Sequence, residues 1–207
     1  MKKLIVLLFV FLSTFSLFSR DFDYRDIPVQ DGGRIKPLDT FARNQLLSIY
    51  GKRSLKLENL SAIDWLNNLL ADPNNGFNQK VFKLRNPEVV QSLGLEWDNI
   101  HTYTYHEILG GLENQKELII QIQQKSDDEL SIMEGQLKEL HTNFQKFANM
   151  WWHLKIIPPA SENSEDAWIS PWEVESEHAL THNQRNLLFN FLEYLNKRLA
   201  DDKLGMD

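Results

Sequence analysis

The sequence predicts a mainly α-helical protein, a bundle built on a long antiparallel helix hairpin with a small β-hairpin or extended arm near its N-terminus. One observation is a heptad repeat of large apolar residues, Leu130, Met133, Leu137, Leu140, Phe144, Phe147 and Trp151. Spacings of three and four residues place such a set on one stripe of a helix. The others are an amphipathic segment at 113–124 and a glycine turn at 31–33.

The helix hairpin combines the segment 113–124 with the heptad helix that follows it. Leu118, Ile119 and Ile122 form the apolar face of the first helix. A capping-box pair, Ser126 with Glu129, marks the break between the two helices. Prolines at 158–159 cannot continue a helix, so we expect the heptad helix to extend to that point.

The N-terminal arm is predicted from turn chemistry. Residues 27–30 and 34–36 alternate weakly and flank Asp31-Gly32-Gly33, which is a hairpin turn signal. Pro37 then ends the second strand. Asp39 or Thr40 is expected to cap the next helix, which Gly51 terminates.

Four further elements follow from local signals. Ser61 begins a capped helix, and "DPNNG" at 72–76 is expected to be a loop. Asn86 caps a short helix that begins with a proline. A helix over about 103–111 is expected to end at a pair of glycines, and the last helix covers about 181–199.

Length and charge limit the classes of function. The chain has 207 residues and a net charge of −7, which fits one domain with an acidic surface. Nucleic acids and anionic lipids bind through clusters of Lys and Arg, so neither is an expected partner.

The first nineteen residues resemble a secretory signal. Lys2 and Lys3 precede an unbroken apolar run at 4–12, and small polar residues follow. We therefore expect residues 1–19 to be a signal peptide or an uncleaved N-terminal anchor, and residues 20–207 to form a periplasmic helical domain. Its location is then extracytoplasmic, with inner-membrane anchoring as an open alternative.

The sequence contains no cysteine. This excludes thiol redox chemistry, disulfides and C-x-x-C-H haem attachment, so the protein is neither a thiol oxidoreductase nor a c-type cytochrome. No Ser/His/Asp set, phosphate-binding glycine loop or paired-carboxylate motif stands out. We predict a protein that is not an enzyme and needs no cofactor.

Two weaker sets of residues could bind a metal or haem. His178 and His182 are four residues apart and could share a metal on one helix face, although surface histidines near a helix start are the commoner case. Trp152 and His153 could stack on haem and ligate it. The alternative is that Trp151 packs in the core and Trp152 lies at the surface.

Residues 30–43, which we call the N-terminal hook, carry charges that the predicted fold does not need. One interpretation is a salt-bridged arm that lies on the domain. The other is a surface that docks onto a partner near the membrane. The candidate docking residues are Gln30, Asp31, Gly33, Arg34, Lys36, Pro37, Asp39 and Arg43.

The stretch "PVQDGGRIKPLDTFAR" resembles the start of the extracytoplasmic segment of CcsA/ResB-type (system II) cytochrome c biogenesis proteins. The resemblance continues in "KVFKLRNPEVVQSLGL", "KELIIQIQQKSDDEL" and "WWHLKIIPPASENSEDAWISPWE". The matching residues are Val29, Gln30, Asp31, Gly33, Arg34, Lys36, Pro37, Asp39, Thr40, Asn86, Pro87, Gly94, Pro158, Trp168 and Pro171. The integral-membrane core of the family, its tryptophan-rich haem-handling loop and its membrane histidines have no counterpart here.

The resemblance implies a non-catalytic accessory subunit, or a piece of a longer protein, in c-type cytochrome assembly. Its partner would be a CcsA/ResB-like membrane protein, and any membrane contact would come through that partner or an uncleaved N-terminus. Two alternatives remain from the residues alone. One is a periplasmic metal- or haem-binding protein, and the other is a helical scaffold that associates through the heptad repeat.

Overall fold

The structure, a computed structural model, describes residues 23–55, 59–160, 167–174 and 180–204. The described helices are α1 (Leu38–Tyr50), α2 (Ala62–Ala71), α3 (Pro73–Asn78), α4 (Pro87–Ser92), α5 (Tyr105–Asn114), α6 (Lys116–Gln124), α7 (Ile132–Ala148), α8 (Met150–His153) and α9 (His182–Leu204). Short strands pair antiparallel as β1–β2, β3–β4 and β5–β6. They are β1 (Pro28–Asp31), β2 (Arg34–Pro37), β3 (Ser54–Leu55), β4 (Leu60–Ser61), β5 (Phe82–Lys83) and β6 (Thr102–Tyr103). The predicted fold class, mainly helical with a small N-terminal hairpin, is confirmed.

The core contains a group of stacked and tilted aromatic rings. Phe147 lies at its centre, with ring centroids 5.1 Å from Phe82, 6.1 Å from Tyr105 and 6.3 Å from Trp65. These rings come from α7, β5, α5 and α2, so the heptad face of α7 joins the two halves of the chain. Burial of large aromatic side chains is the main stabilising term of such a core.

The heptad helix is shorter than predicted. α7 ends at Ala148, and a separate turn of helix, α8, follows Asn149. Leu137, Leu140, Phe144 and Phe147 are buried as predicted, whereas Leu130 precedes the helix. The proline pair at 158–159 therefore does not end α7, because the chain has already left the helix to form extended segments.

The α6–α7 connection follows the predicted capping chemistry. Ser126 and Glu129 form the capping box of a 3₁₀ turn, and Ser131 with Glu134 caps α7. Lys125 Nζ lies 2.6 Å from Glu134 Oε1. That ammonium, together with the Ser131 N–H and hydroxyl, lowers the pKa of Glu134 to about 2.

The sequence predicted that Asp39 or Thr40 caps α1, but neither side chain does so. The helix begins at Leu38, whose N–H donates to the Ile27 carbonyl at 2.8 Å. A backbone carbonyl just before β1 thus satisfies the first of the free N–H donors of α1. Gly51 ends the helix in the left-handed region, as predicted.

Two segments that were predicted to lie outside helices, or to end one, are helical in the structure. "DPNNG" is the start of α3, because Asp72 caps it and Pro73 takes its first position. The glycine pair at 110–111 lies inside α5 and does not end it. Gly111 is needed there for packing, since a Cβ would lie 2.7 Å from Leu93 Cβ.

The last helix covers the α2 side of the bundle. Phe191 and Leu195 are buried, and Tyr194 stacks on Tyr24 with ring centroids 3.8 Å apart. Leu192, on the same helix, is 41% exposed. Within the described helices, none is long and apolar enough to cross a membrane, and residues 1–19 lie outside the described part.

Candidate docking surface

The N-terminal hairpin is fixed by its two-residue turn. Gly32 and Gly33 both have positive φ, 60° and 73°, which is the type I′ geometry that matches the twist of a hairpin. The register pairs Asp31 with Arg34 and Gln30 with Ile35. The turn signal at 31–33 therefore forms the predicted tight turn, at the tip of the hook.

The hairpin is joined to the domain through β1. The Gln30 N–H donates to the Lys155 carbonyl at 2.9 Å, and the Gln30 side-chain Oε1 accepts from the Trp168 N–H at 3.2 Å. Ile157 pairs in turn with Ile169. β1 is consequently an inner strand of a small antiparallel arrangement, and β2 is its outer edge.

Two of the three hook cations have acidic partners within the hook. Lys36 Nζ lies 2.7 Å from Asp31 Oδ2, and Arg43 Nε lies 2.7 Å from Asp39 Oδ2 one helical turn away. The hydrogen bond and charge of Asp39 raise the pKa of Arg43. These four residues fit the interpretation of a salt-bridged arm. The Lys36–Asp31 pair is partly buried and Arg43 is exposed, and surface ion pairs contribute about 0–1 kcal/mol.

Arg34 is the remaining cation of the hook. It is exposed, and its guanidinium forms no ion pair or hydrogen bond with another described residue. Beside it, Ile35 is 61% exposed, and Gly33 and Pro37 are exposed as well. The tip and outer strand of the hook are thus its accessible part.

A row of side chains crosses the face of this sheet that carries Gln30. Paired residues in an antiparallel sheet point to the same side, so Ile35, Gln30 and Lys155 share one face. Lys155 Nζ lies 3.4 Å from Glu173 Oε1, and the neighbouring Trp172 is 62% exposed. We call Ile35, Gln30, Lys155 and Trp172, together with Arg34 on the other face of β2, the hook surface.

Trp152 and His153 lie on α8, next to the extended segment that pairs with β1. Trp151 is half-buried, with its ring 6.2 Å from Phe191, and Trp152 is 46% exposed. Desolvation of the imidazole lowers the pKa of His153, nearby Lys146 and Lys155 lower it further, and Asp31 acts in the opposite direction. The pKa of His153, near the hook, is therefore held below the ordinary value of an imidazole.

The other histidine candidates are not brought together by the described structure. His182 is exposed at the start of α9, where its Nε2 lies 3.0 Å from Asn186 Nδ2, and His178 lies outside the described residues. No cluster of three or more His, Asp or Glu suited to a metal occurs among the residues that the structure describes.

A cleft of about 340 Å³ opens between α1, β5 and α7. Its polar lining includes Tyr50, Lys83, Arg85 and Glu139, with the Lys83 ammonium 5.8 Å from the Tyr50 ring centroid. One carboxylate without a histidine does not make an acid–base pair. Asn86, at the edge of this cleft, caps α4 and donates to Gln136, so it has a structural task.

Part of the hook surface could not be read from the sequence. Ile35 is apolar between two cations, and that alternation was the available signal for an exposed strand residue. Lys155 and Trp172 had no local signal, because both are distant from the hook in the sequence; Lys155 pairs with Gln30, and Trp172 neighbours Glu173, the ion-pair partner of Lys155. Among the residues that resemble the biogenesis family, Trp168 donates its N–H to the Gln30 side chain beside the hook, and Asn86 and Pro87 begin α4.

Comparison with known proteins leaves the family open. No protein-family model matches the chain, and no curated protein is significantly similar to it.

Proposed function

We propose that this protein is a non-catalytic, extracytoplasmic accessory subunit of c-type cytochrome assembly. It docks through the hook surface onto a CcsA/ResB-like integral membrane protein that handles haem. Residues 1–19 direct it across the inner membrane or hold it there. The support comes from the resemblance of the hook sequence to system II biogenesis proteins and from the accessible residues of the hook.

The observation that carries the proposal is the division of labour within the hook. Gln30 joins the hairpin to the domain, and Lys36 and Arg43 are matched by Asp31 and Asp39. Arg34 and Ile35 are left exposed on a hydrogen-bonded hairpin. A cation and a large apolar residue presented by an already ordered strand are suited to protein recognition, because less backbone entropy is lost on binding.

The exposed aromatic residues fit the same proposal. Trp172 and Trp152 are 62% and 46% exposed, and tryptophan is enriched at the centres of protein interfaces. The Lys155–Glu173 pair beside Trp172 supplies a polar rim. An apolar centre with paired charges around it is the usual anatomy of a non-obligate interface.

The scaffold alternative has less support. Its means of association was the heptad repeat, and Leu137, Leu140, Phe144 and Phe147 are buried inside the domain. These side chains are therefore occupied by intramolecular packing and are not available to a second copy.

The experiment is deletion of the gene combined with affinity purification of the tagged full-length chain from solubilised membranes. We expect deletion to reduce covalently bound haem in the c-type cytochromes, measured by haem staining. We also expect a multi-span protein with a tryptophan-rich loop to co-purify, identified by mass spectrometry. Normal cytochrome maturation in the deletion strain would refute the proposed function.

A further inference from the structure

We propose that the outer edge of β2 binds an extended segment of the partner as an additional β-strand, with Ile35 as the pairing residue. A carboxylate of that segment pairs with Arg34. This inference rests on the proposed function, because it states how the hook surface holds its partner.

The hairpin register determines which backbone groups face outward. In a two-residue hairpin the turn-flanking pair, Asp31 with Arg34, exchanges both hydrogen bonds, and so does the pair Val29 with Lys36. Gln30 and Ile35 form the intervening non-hydrogen-bonded pair. The N–H and C=O groups of both residues therefore point away from the hairpin.

Gln30 shows what such outward groups do in this protein. Its N–H donates to the Lys155 carbonyl at 2.9 Å, so a neighbouring extended segment pairs with β1 at this residue. Ile35 is the equivalent residue on the opposite edge. Its backbone groups pair with no other described segment, because β2 has β1 as its single strand neighbour in the described chain.

Prolines limit the length of the open edge. Pro28 and Pro37 form the next outward-facing pair, and neither has an N–H. The edge of β2 thus offers the Ile35 N–H as its one strand donor, flanked by carbonyl acceptors. A proline and charged neighbours protect an edge against long, nonspecific pairing, so the site suits a short segment that is recognised by its side chains as well.

Side chains on the two sides of β2 define the chemistry of the segment. Ile35 is 61% exposed on the face that carries Gln30 and Lys155, and it offers an apolar contact to the residue that pairs with it. Arg34 lies on the opposite face, exposed and without an acidic partner among the described residues. Charge complementarity therefore calls for an acidic residue next to the pairing residue of the segment.

The test compares Ile35→Pro with Ile35→Ala in the affinity purification of the full-length chain. Both replace the large isoleucine side chain by a smaller one, but proline also removes the outward N–H, which the hairpin itself does not use. We expect Ile35→Ala to recover several-fold less of the CcsA/ResB-like membrane protein than the wild type. Ile35→Pro should recover about tenfold less again, since a lost backbone hydrogen bond leaves its acceptor unsatisfied. Thermal melting of each variant checks that the domain is folded.

A second measurement needs no substitution in the strand. Hydrogen exchange of the wild-type chain, followed by mass spectrometry of the peptide that contains residues 34–37, should show one further protected amide in the complex. For the charge, Arg34→Glu should reduce recovery at least tenfold and Arg34→Lys several-fold less. Lys116→Gln, at an exposed position on α6, is the matched control and should bind as the wild type does.

Equal recovery of Ile35→Pro and Ile35→Ala, with no added amide protection, would overturn strand pairing and leave the proposed docking intact. Recovery of Arg34→Glu at the level of Lys116→Gln would overturn the acidic segment. If the wild-type chain recovers no CcsA/ResB-like protein, the proposed function and this inference are both wrong.

Discussion

Two adjacent glycines in α5 should respond in opposite directions to the same substitution. Gly110 is exposed, and a Cβ added there would have no neighbour within 4 Å. A Cβ on Gly111 would lie 2.7 Å from Leu93 Cβ and 2.9 Å from the Leu93 carbonyl oxygen. Both residues are inside the helix Tyr105–Asn114, so the change in helix propensity is the same for both.

The magnitudes follow from these two environments. Replacing an interior helical glycine by alanine gains about 0.8–1 kcal/mol. Gly110→Ala should therefore raise the free energy of unfolding by about 1 kcal/mol. At Gly111 the same gain is opposed by overpacking against a backbone oxygen, which costs about 1–3 kcal/mol. We expect Gly111→Ala to lower the free energy of unfolding by about 1 kcal/mol.

The assay is urea denaturation of both variants and the wild type, followed by circular dichroism and tryptophan fluorescence. The difference between the two variants should be about 2 kcal/mol, which is easily resolved by the shift in midpoint. Stabilisation by both substitutions would show that α5 does not approach Leu93 as closely as described. It would also contradict the packing reason for the glycine pair.

Three further predictions concern the connection of α6 and α7, the hook turn and the haem candidates. The pKa of Glu134 is lowered to about 2, so the stabilisation by this carboxylate is complete above its ordinary pKa of 4.5 and is lost as the pH falls towards 2. The free energy of unfolding of Glu134→Gln should therefore be lower than that of the wild type at about pH 6 and nearly equal to it at about pH 2. A difference that does not change with pH would contradict this. Gly33 has a φ of 73°, in the left-handed region that asparagine tolerates and a β-branched residue does not. In urea titrations, Gly33→Val should therefore lower the free energy of unfolding by about 1–2 kcal/mol, whereas Gly33→Asn should leave it nearly unchanged. Equal effects of the two substitutions would argue against the type I′ turn. Titration of haemin with the wild type and with His153→Ala should give the same unshifted Soret band, because docking at the hook needs no haem ligand. A shift of the band that depends on His153 would favour the haem-binding alternative.

The parts of the fold that the sequence predicted are those set by short-range chemistry. The type I′ turn at Gly32-Gly33, the N-cap at Ser61 and the capping box at Ser126 depend on residues within three positions of one another. The buried face of α7 follows from helical periodicity alone. Each of these is decided locally, so the surrounding structure had little opportunity to change it.

The errors arose where a distant contact decided the outcome. Gly111 reads as a helix stop, but Leu93, eighteen positions earlier in the chain, is what requires a glycine there. The first donor of α1 is satisfied by the Ile27 carbonyl, and no side chain caps the helix. In both cases tertiary packing replaced the local signal on which the prediction depended.

The sequence predicted only part of the candidate docking surface. The charges of the hook could be named from the sequence, but their pairing could not. Lys36 with Asp31 is a diagonal contact across the hairpin, and Lys155 reaches β1 from a segment that follows α8. The accessible residues, Arg34 and Ile35, became distinguishable only when those contacts were known.

The most direct test of the account places a photo-crosslinking amino acid, p-benzoylphenylalanine, at position 35 or at position 116 of the full-length chain in living cells. Irradiation should link position 35, on the edge of the hook, to a CcsA/ResB-like membrane protein, and position 116 should give no such product. Equal crosslinking from both positions, or none from position 35 while the protein still supports cytochrome c maturation, would contradict docking through the hook.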